Sequence, residues 1–277
     1  MANDPKLKTT KKEETTKGAS GLFATFVIPA CLVIGILLYK FVFGNPMNFE
    51  GGTPDGHPLP GNYLGMAYKG GVIVPILVSM FLMVIVFSVE RFIVVNKATG
   101  ASSVDKFVTK IQQFLSTGNI DAALAECDKQ KGSVANVIRS GLKKYKEAES
   151  DANLDTEHSC LAIQKDIEEA TALEMPMLQQ NLTIIATLVS IGTLMGLLGT
   201  VTGMIKAFAA LSSSGAPDQA ALATGISEAL INTATGIGTS ALAIIMYNVF
   251  TSKIDSLTYA IDEAGFSIVQ TFASTHK

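Results

Sequence analysis

Residues 181–211 read NLTIIATLVSIGTLMGLLGTVTGMIKAFAAL, and residues 221–250 read ALATGISEALINTATGIGTSALAIIMYNVF. Between Glu174 and Lys206 there is no charged side chain. Wound as a helix rising ~1.5 Å per residue, that run is longer than the ~30 Å hydrocarbon core of a bilayer. The second stretch is apolar too, but it carries one carboxylate, Glu228, and is then uncharged from Ala229 to Ser252. An ionisable group inside a span costs roughly 2.5–3.5 kcal/mol on insertion scales, so it marks a pathway or a paired site. Hydroxyls are frequent in both stretches: Thr187, Ser190, Thr193, Thr200 and Thr202 in the first, Thr224, Ser227, Thr233, Thr235, Thr239 and Ser240 in the second. A helix facing only lipid gains nothing from them.

Outward from this pair, the chain divides by charge and periodicity. Residues 70–95 form a further transmembrane helix: Gly70 to Val89 is uncharged and is closed by Glu90-Arg91, with Pro75 in the first turns, where a missing amide donor is tolerated. Residues 96–180 read as a cytoplasmic helical domain, with apolar stripes Phe107, Ile111, Phe114, Leu115 and Val134, Val137, Ile138, Leu142 separated by the breaker Gly118-Asn119. Thr156 to Leu178 is expected to run as one helix into the Asn181 span, with a possible kink at Pro176. Residues 44–69 hold Pro46, Pro54, Pro58 and Pro60 and read as a periplasmic loop. Residues 18–43 form an additional transmembrane helix. Its flank, Tyr39-Lys40-Phe41, lacks a small-residue cleavage site, which favours an uncleaved span over a signal peptide. Residues 1–17, with five lysines, read as a disordered basic cytoplasmic arm. Residues 212–220 form a periplasmic turn, and residues 251–277 a cytoplasmic C-terminal helix with the stripe Ile254, Leu257, Ile261, Phe266, Ile268.

The fold class expected is an all-α integral membrane protein with four transmembrane helices, the last two extended into a cytoplasmic helical domain. The 90–180 segment has eleven Lys and Arg and the N-terminal arm five, whereas residues 44–69 have one and residues 207–227 none. The positive-inside rule then puts both termini in the cytosol.

The 277 residues are 48% hydrophobic with net charge −3, which suits several spans plus one aqueous part and gives no support to nucleic-acid binding. Cys31, Cys127 and Cys160 have no metal-ligand or redox spacing and read as three unpaired thiols. The three histidines, His57, His158 and His276, lie in different regions. With no nucleophile–base pair and no phosphate loop, neither an enzyme, a cofactor nor a metal site is expected.

Gly192, Gly196, Gly199 and Gly203 recur at steps of four, three and four, one stripe of a helix almost without side chains. Such a stripe admits a close helix–helix approach, either within the chain against the last span, or at a subunit interface or pore wall. Thr200 and Thr233 read either as hydroxyls bonded back to their own helix or as part of a wetted polar surface. Glu228 reads either as a carboxyl near the end of the span, reaching water or paired with Lys206, or as an interior group with Asn232 and Thr233 that passes protons or cations or holds a basic partner.

The runs Gly196-Leu-Leu-Gly-Thr-Val-Thr-Gly203 and Gly225-Ile-Ser-Glu-Ala-Leu-Ile-Asn-Thr-Ala-Thr-Gly236, followed by Tyr247-Asn248, resemble the signature of the MotA/TolQ/ExbB proton channel family. Val89-Glu90-Arg91-Phe92 is similar to the end of that family's first span, and Gly118-Asn119-Ile120-Asp121-Ala122-Ala123-Leu124 to its cytoplasmic helices. The resemblance covers roughly residues 70–277, and ExbB is the most similar member. It implies a bacterial inner-membrane motor subunit: a homopentamer around two copies of a single-span ExbD-like partner, in which proton flow does work on a TonB-like protein for outer-membrane nutrient import. It places pore-lining threonines at Thr200 and Thr233 and the intramembrane glutamate at Glu228. Two departures stand out. The 18–43 span and the Pro/Gly loop are additional to the family's usual three spans, and Thr239-Ser240-Ala241 stands where ExbB and TolQ usually carry a proline. A TolQ-like envelope-maintenance role and a non-conducting membrane scaffold remain the alternatives.

Overall fold

The computed structural model describes residues 14–54, 56–150, 155–212 and 219–276. Residues 1–13 of the expected basic arm and residues 213–218 of the expected turn lie outside them. Among the described residues the chain is all-α: α1 (Glu14–Leu37), α2 (Tyr63–Lys69), α3 (Ile73–Thr99), α4 (Val104–Ser116), α5 (Ile120–Gln130), α6 (Gly132–Ser150), α7 (Thr156–Gln179), α8 (Leu182–Ser212) and α9 (Gln219–Thr275). Four helices are long and apolar enough to cross a membrane. α1 takes in Glu14 to Lys17, which the sequence assigns to the polar arm. The chain forms two compact units, Met1–Val86 with Thr187–Ala243, and Phe87–Ala186 with Ile244–Lys277.

In the first unit, α8 and α9 meet along their small residues. A methyl at Gly196 would lie 3.2 Å from the Cα of Gly236, and one at Gly236 would lie 2.6 Å from the Gly192 carbonyl oxygen. At Gly203 it would stand 2.9 Å from the Ala229 Cβ, and at Gly199 it would collide with the Asn232 Cβ. All four glycines of the stripe are therefore filled by α9 of the same chain. The side of α8 away from this seam carries Ile191, Leu194, Leu198, Val201, Ile205 and Phe208, all exposed, at steps of three and four. Helix packing in lipid has little hydrophobic drive and depends on such backbone approach. α1 crosses α3 in the same way, because a methyl at Gly35 would lie 2.9 Å from the Pro75 carbonyl.

The segment between α1 and α2 is a built structure. The end of α1 widens into a π-helix over Leu38–Phe43, where the Gly44 N–H donates to Tyr39 O at 2.9 Å. Asn48 then satisfies the carbonyls that this ending exposes, donating to Val42 O at 2.8 Å and Phe43 O at 2.9 Å. Its own Oδ1 accepts from Asn62 Nδ2 at 3.0 Å, and Asn62 Oδ1 caps α2 through Leu64 N and Gly65 N. Phe49 is buried and meets Tyr68 edge-on at 5.5 Å.

In the second unit, α4, α5 and α6 bury Phe107, Ile111, Leu115, Ala123, Val134, Ile138 and Leu142. The stripes at Phe107 and Val134 fall inside as the periodicity predicts. The C-terminal part of α9 differs in phase from the expected stripe. Its buried line is Ile254, Leu257, Ile261, Ala264, Ile268 and Phe272, which leaves Phe266 exposed. The α3–α4 turn is held by buried Gln130, whose amide donates to Thr99 O at 2.9 Å and Ser102 O at 2.8 Å. Its Oε1 accepts from Ser102 Oγ at 2.5 Å.

α7 and α8 are two helices, contrary to the expected single one. The break falls at Gln180-Asn181, with Asn181 at φ +62°, and not at Pro176. A helix that ends inside protein leaves carbonyls without donors. Arg91, 1% exposed, supplies them: its Nη1 donates to Met177 O and Leu178 O, both at 3.1 Å. Glu90 balances the charge, accepting from Arg91 Nε at 2.5 Å and from Nη2, and also from Asn181 Nδ2 at 3.4 Å.

Two outcomes follow from this packing. Gly199→Leu drives a side chain into Asn232 and is expected to destabilise the α8–α9 pair by about 3 kcal/mol or more, read as loss of the folded protein in detergent. Arg91→Met strands a carboxylate and two carbonyls and is expected to cost about 3–5 kcal/mol, read by thermal melting. Cys127 provides a probe of the same unit. Burial pushes its thiol up to about 12, so at pH 8 it is expected to resist maleimide in the native protein and react only after unfolding.

Candidate functional site

The candidate residues fall on two faces of α9, both within the first unit. A helix turns about 100° per residue, so Glu228 and Asn232 stand about 40° apart around the axis, whereas Glu228 and Thr233 stand about 140° apart. The sequence grouping of Glu228 with Thr233 therefore divides into two clusters.

The first cluster lies on the glycine seam. Thr200 on α8 and Thr233 on α9 meet hydroxyl to hydroxyl. Both also reach the Gly196 carbonyl at 3.2 Å, and Thr233 reaches its own helix at Ala229 O at 3.2 Å. The pair exists because Gly196 and Gly236 let the two backbones touch there. Several other hydroxyls of these helices bond backwards, as Thr202 does to Leu198 O at 3.0 Å, Thr235 to Ile231 O at 2.9 Å and Thr239 to Thr235 O at 2.8 Å. Thr200 also borders the open apolar face of α8 at Val201, Met204, Ile205 and Phe208. A polar pair thus sits at the edge of an apolar face.

The second cluster gathers at the Gly70–Gly71 turn between α2 and α3. Glu228 pairs with Lys206 Nζ at 3.6 Å, and the carboxylate side chain is 13% exposed against 62% for the lysine. The lysine keeps its head wet while the carboxylate is largely covered. Gly71, at φ +74°, leaves the room the ammonium takes, since a methyl there would be 3.0 Å from Nζ. Asn232, 1% exposed, donates to Gly70 O at 3.1 Å. From α1, the Tyr39 hydroxyl donates to Tyr68 O at 2.8 Å and the two rings stack at 4.7 Å. Tyr39 lies within electrostatic reach of Glu228. Lys69 donates to Pro54 O at 2.9 Å and lies over the Phe49 ring.

Glu228 and Lys206 thus form a partly covered pair, with Tyr39 of the π-helical end of α1 within electrostatic reach. Sequence reasoning passed over Tyr39, Tyr68 and the Gly70–Gly71 pair. The doubled glycine was the one signal available. Among the described residues no cluster of three metal-binding side chains occurs.

The description of the MotA/TolQ/ExbB proton channel family matches residues 129–263, which contain both clusters' α8 and α9 members and none of α1 to α4. Among known proteins, the putative biopolymer transport protein ExbB-like 3 of Synechocystis sp. is 35% identical over 88 residues, 31% of this chain and 42% of that protein. The Tol-Pal system protein TolQ of Pseudomonas aeruginosa is 30% identical over 124 residues, 45% of this chain and 54% of that protein. The putative biopolymer transport protein ExbB homolog of Methanothermobacter thermautotrophicus is 25% identical over 195 residues, 70% of this chain and 65% of that protein. The matched stretches thus span from under half to just under two thirds of these relatives' own lengths. Apolar helices and relatives agree: residues 129–263 of this multi-pass membrane protein, just under half of the chain, are similar to the MotA/TolQ/ExbB proton channel family.

Proposed function

We propose that the chain is the channel and stator subunit of an ExbB–ExbD-like motor in a bacterial inner membrane. The observation that carries this reading is the Thr200–Thr233 pair, set by the glycine seam beside the exposed apolar face of α8. An apolar helix face with one polar edge suits a single apolar helix carrying one proton-binding group. In this reading copies of the chain, five in the family's arrangement, surround two single-span ExbD-like helices that lie against α8 and α9. Protons enter along Glu228, Thr200 and Thr233, and the resulting movement does work on a TonB-like protein for nutrient import. The distribution of Lys and Arg supports both termini and residues 96–180 in the cytosol, with residues 44–69 and the α8–α9 turn outside. Gly192, Gly196, Gly199 and Gly203 then act by holding α8 to α9, so that each protomer enters the ring as a rigid hairpin. The exposed face of α8 is what remains for neighbours and for the partner.

A TolQ-like role has its own support in the match to the Pseudomonas TolQ, which is the longer of the two relatives at 30% identity or more quoted above. The roles separate by phenotype: energy-dependent uptake for one, outer-membrane integrity for the other.

Thr200→Val and Thr233→Val remove a hydroxyl at nearly constant volume, and Glu228→Gln removes the charge. Each is expected to lower energy-dependent uptake at least tenfold while native mass spectrometry still finds the intact complex with its single-span partner. Full uptake in all three variants would overturn the channel reading and leave a scaffold.

A further inference from the structure

Asn232 is the most deeply buried polar side chain near Glu228, and only half of it is used. Its Nδ2 donates to Gly70 O at 3.1 Å, which fixes the direction of the amide. Its Oδ1 is buried with no donor among the described residues. A buried acceptor left unmet is unfavourable, so this oxygen is kept for a donor that arrives under other conditions. The backbone around it is closed. A methyl on Gly199 would strike Asn232 Cβ, and one on Gly70 would lie 3.0 Å from Oδ1. What remains beside it is its own helix one turn back, and there Glu228 stands at i−4. Side chains at that spacing are neighbours on a helix surface, and they lean toward the N-terminal end, so Asn232 leans toward Glu228.

We propose that Asn232 is the positioning residue for the protonated form of Glu228: charged, the carboxylate pairs with Lys206, and once protonated it turns and donates its O–H to Asn232 Oδ1. The step moves one proton, from water at the Gly70–Gly71 end to the carboxylate. Lys206 keeps its own proton and charge, and no covalent bond to carbon changes. The groups that face the carboxyl from packed elements are Tyr39 of α1, Lys69 of α2 and Lys206 of α8. Tyr39 gives its hydroxyl to Tyr68 O, and Lys69 is engaged with Pro54 O and the Phe49 ring. Neither is positioned as an acceptor for the acid, which leaves Asn232. Because Asn232 also holds Gly70, loading the proton tightens the same amide that ties α9 to the α2–α3 turn. This gives Glu228 two defined positions within its proposed pathway. The inference deepens that reading and rests on it for its purpose, but its test does not need the motor to run.

The test uses the full-length oligomer in lipid and records infrared difference spectra between low and high pH. A carboxylic acid band that disappears in Glu228→Gln assigns the group. In the native protein the band is expected at the frequency of a hydrogen-bonded acid, and in Asn232→Ala it is expected to shift upward to that of a free acid. An unshifted band in a folded Asn232→Ala oligomer overturns the proposal and assigns the acid to water or another acceptor. A second measurement needs no change at Asn232. The ¹³Cγ resonance of Asn232 in selectively labelled native protein is expected to move through the same pH transition and to stay fixed in Glu228→Gln. A resonance that does not move, or no acid band between pH 4 and 9, also overturns it. Loss of uptake in Glu228→Gln without a band shift in Asn232→Ala would sink this inference alone. A band shift with undiminished uptake in Glu228→Gln would sink the pathway and leave the switch.

Discussion

The first unit depends on two helix backbones touching. Gly192, Gly196, Gly199 and Gly203 of α8 meet Gly225, Ala229, Asn232 and Gly236 of α9 at distances where no larger side chain fits. In water such a seam would be a poor core, because it buries little apolar surface. In lipid the balance changes, since tails are as apolar as leucine and association is driven by close contact and polar bonds. The same seam brings Thr200 to Thr233 and places Asn232 against Gly70, so that packing and chemistry use one set of positions.

The second constraint is the accounting of backbone groups at helix ends. Arg91 serves the end of α7, Gln130 the α3–α4 turn, and Asn48 the π-helical end of α1. Each is a polar side chain taken out of water to satisfy two carbonyls that are themselves out of water. Such groups add little net stability when paired, and their removal is costly because the partners stay buried. They fix where the helices stop.

The charged groups of the first unit sit where this framework is open. Lys206 reaches out at the Gly71 turn while Glu228 remains covered, an arrangement that keeps a carboxylate near the membrane without leaving it alone. Tyr39 and Tyr68 close the other side of the turn. The π-helical end of α1 and α2, outside the family match, therefore reach the Gly70–Gly71 turn beside the glutamate through Tyr39 and Tyr68.

The apolar runs and the step of the glycines were readable from the chain alone, because helix period and bilayer thickness are fixed quantities. So were the breaker at Gly118-Asn119 and the family resemblance in residues 196–203 and 225–236. The sequence could not say that Phe266 faces outward, because a slight drift in phase over a long helix moves a residue off the buried line. It could not place the α7–α8 break at Asn181, since the proline beside it was the stronger local signal and the decisive partner, Arg91, lies on another helix. Nor could it separate Glu228 from Thr233 as neighbours. Which oxygen meets which donor is set by the register of α8 on α9 and by a turn about 160 residues away, a relation that no local pattern encodes.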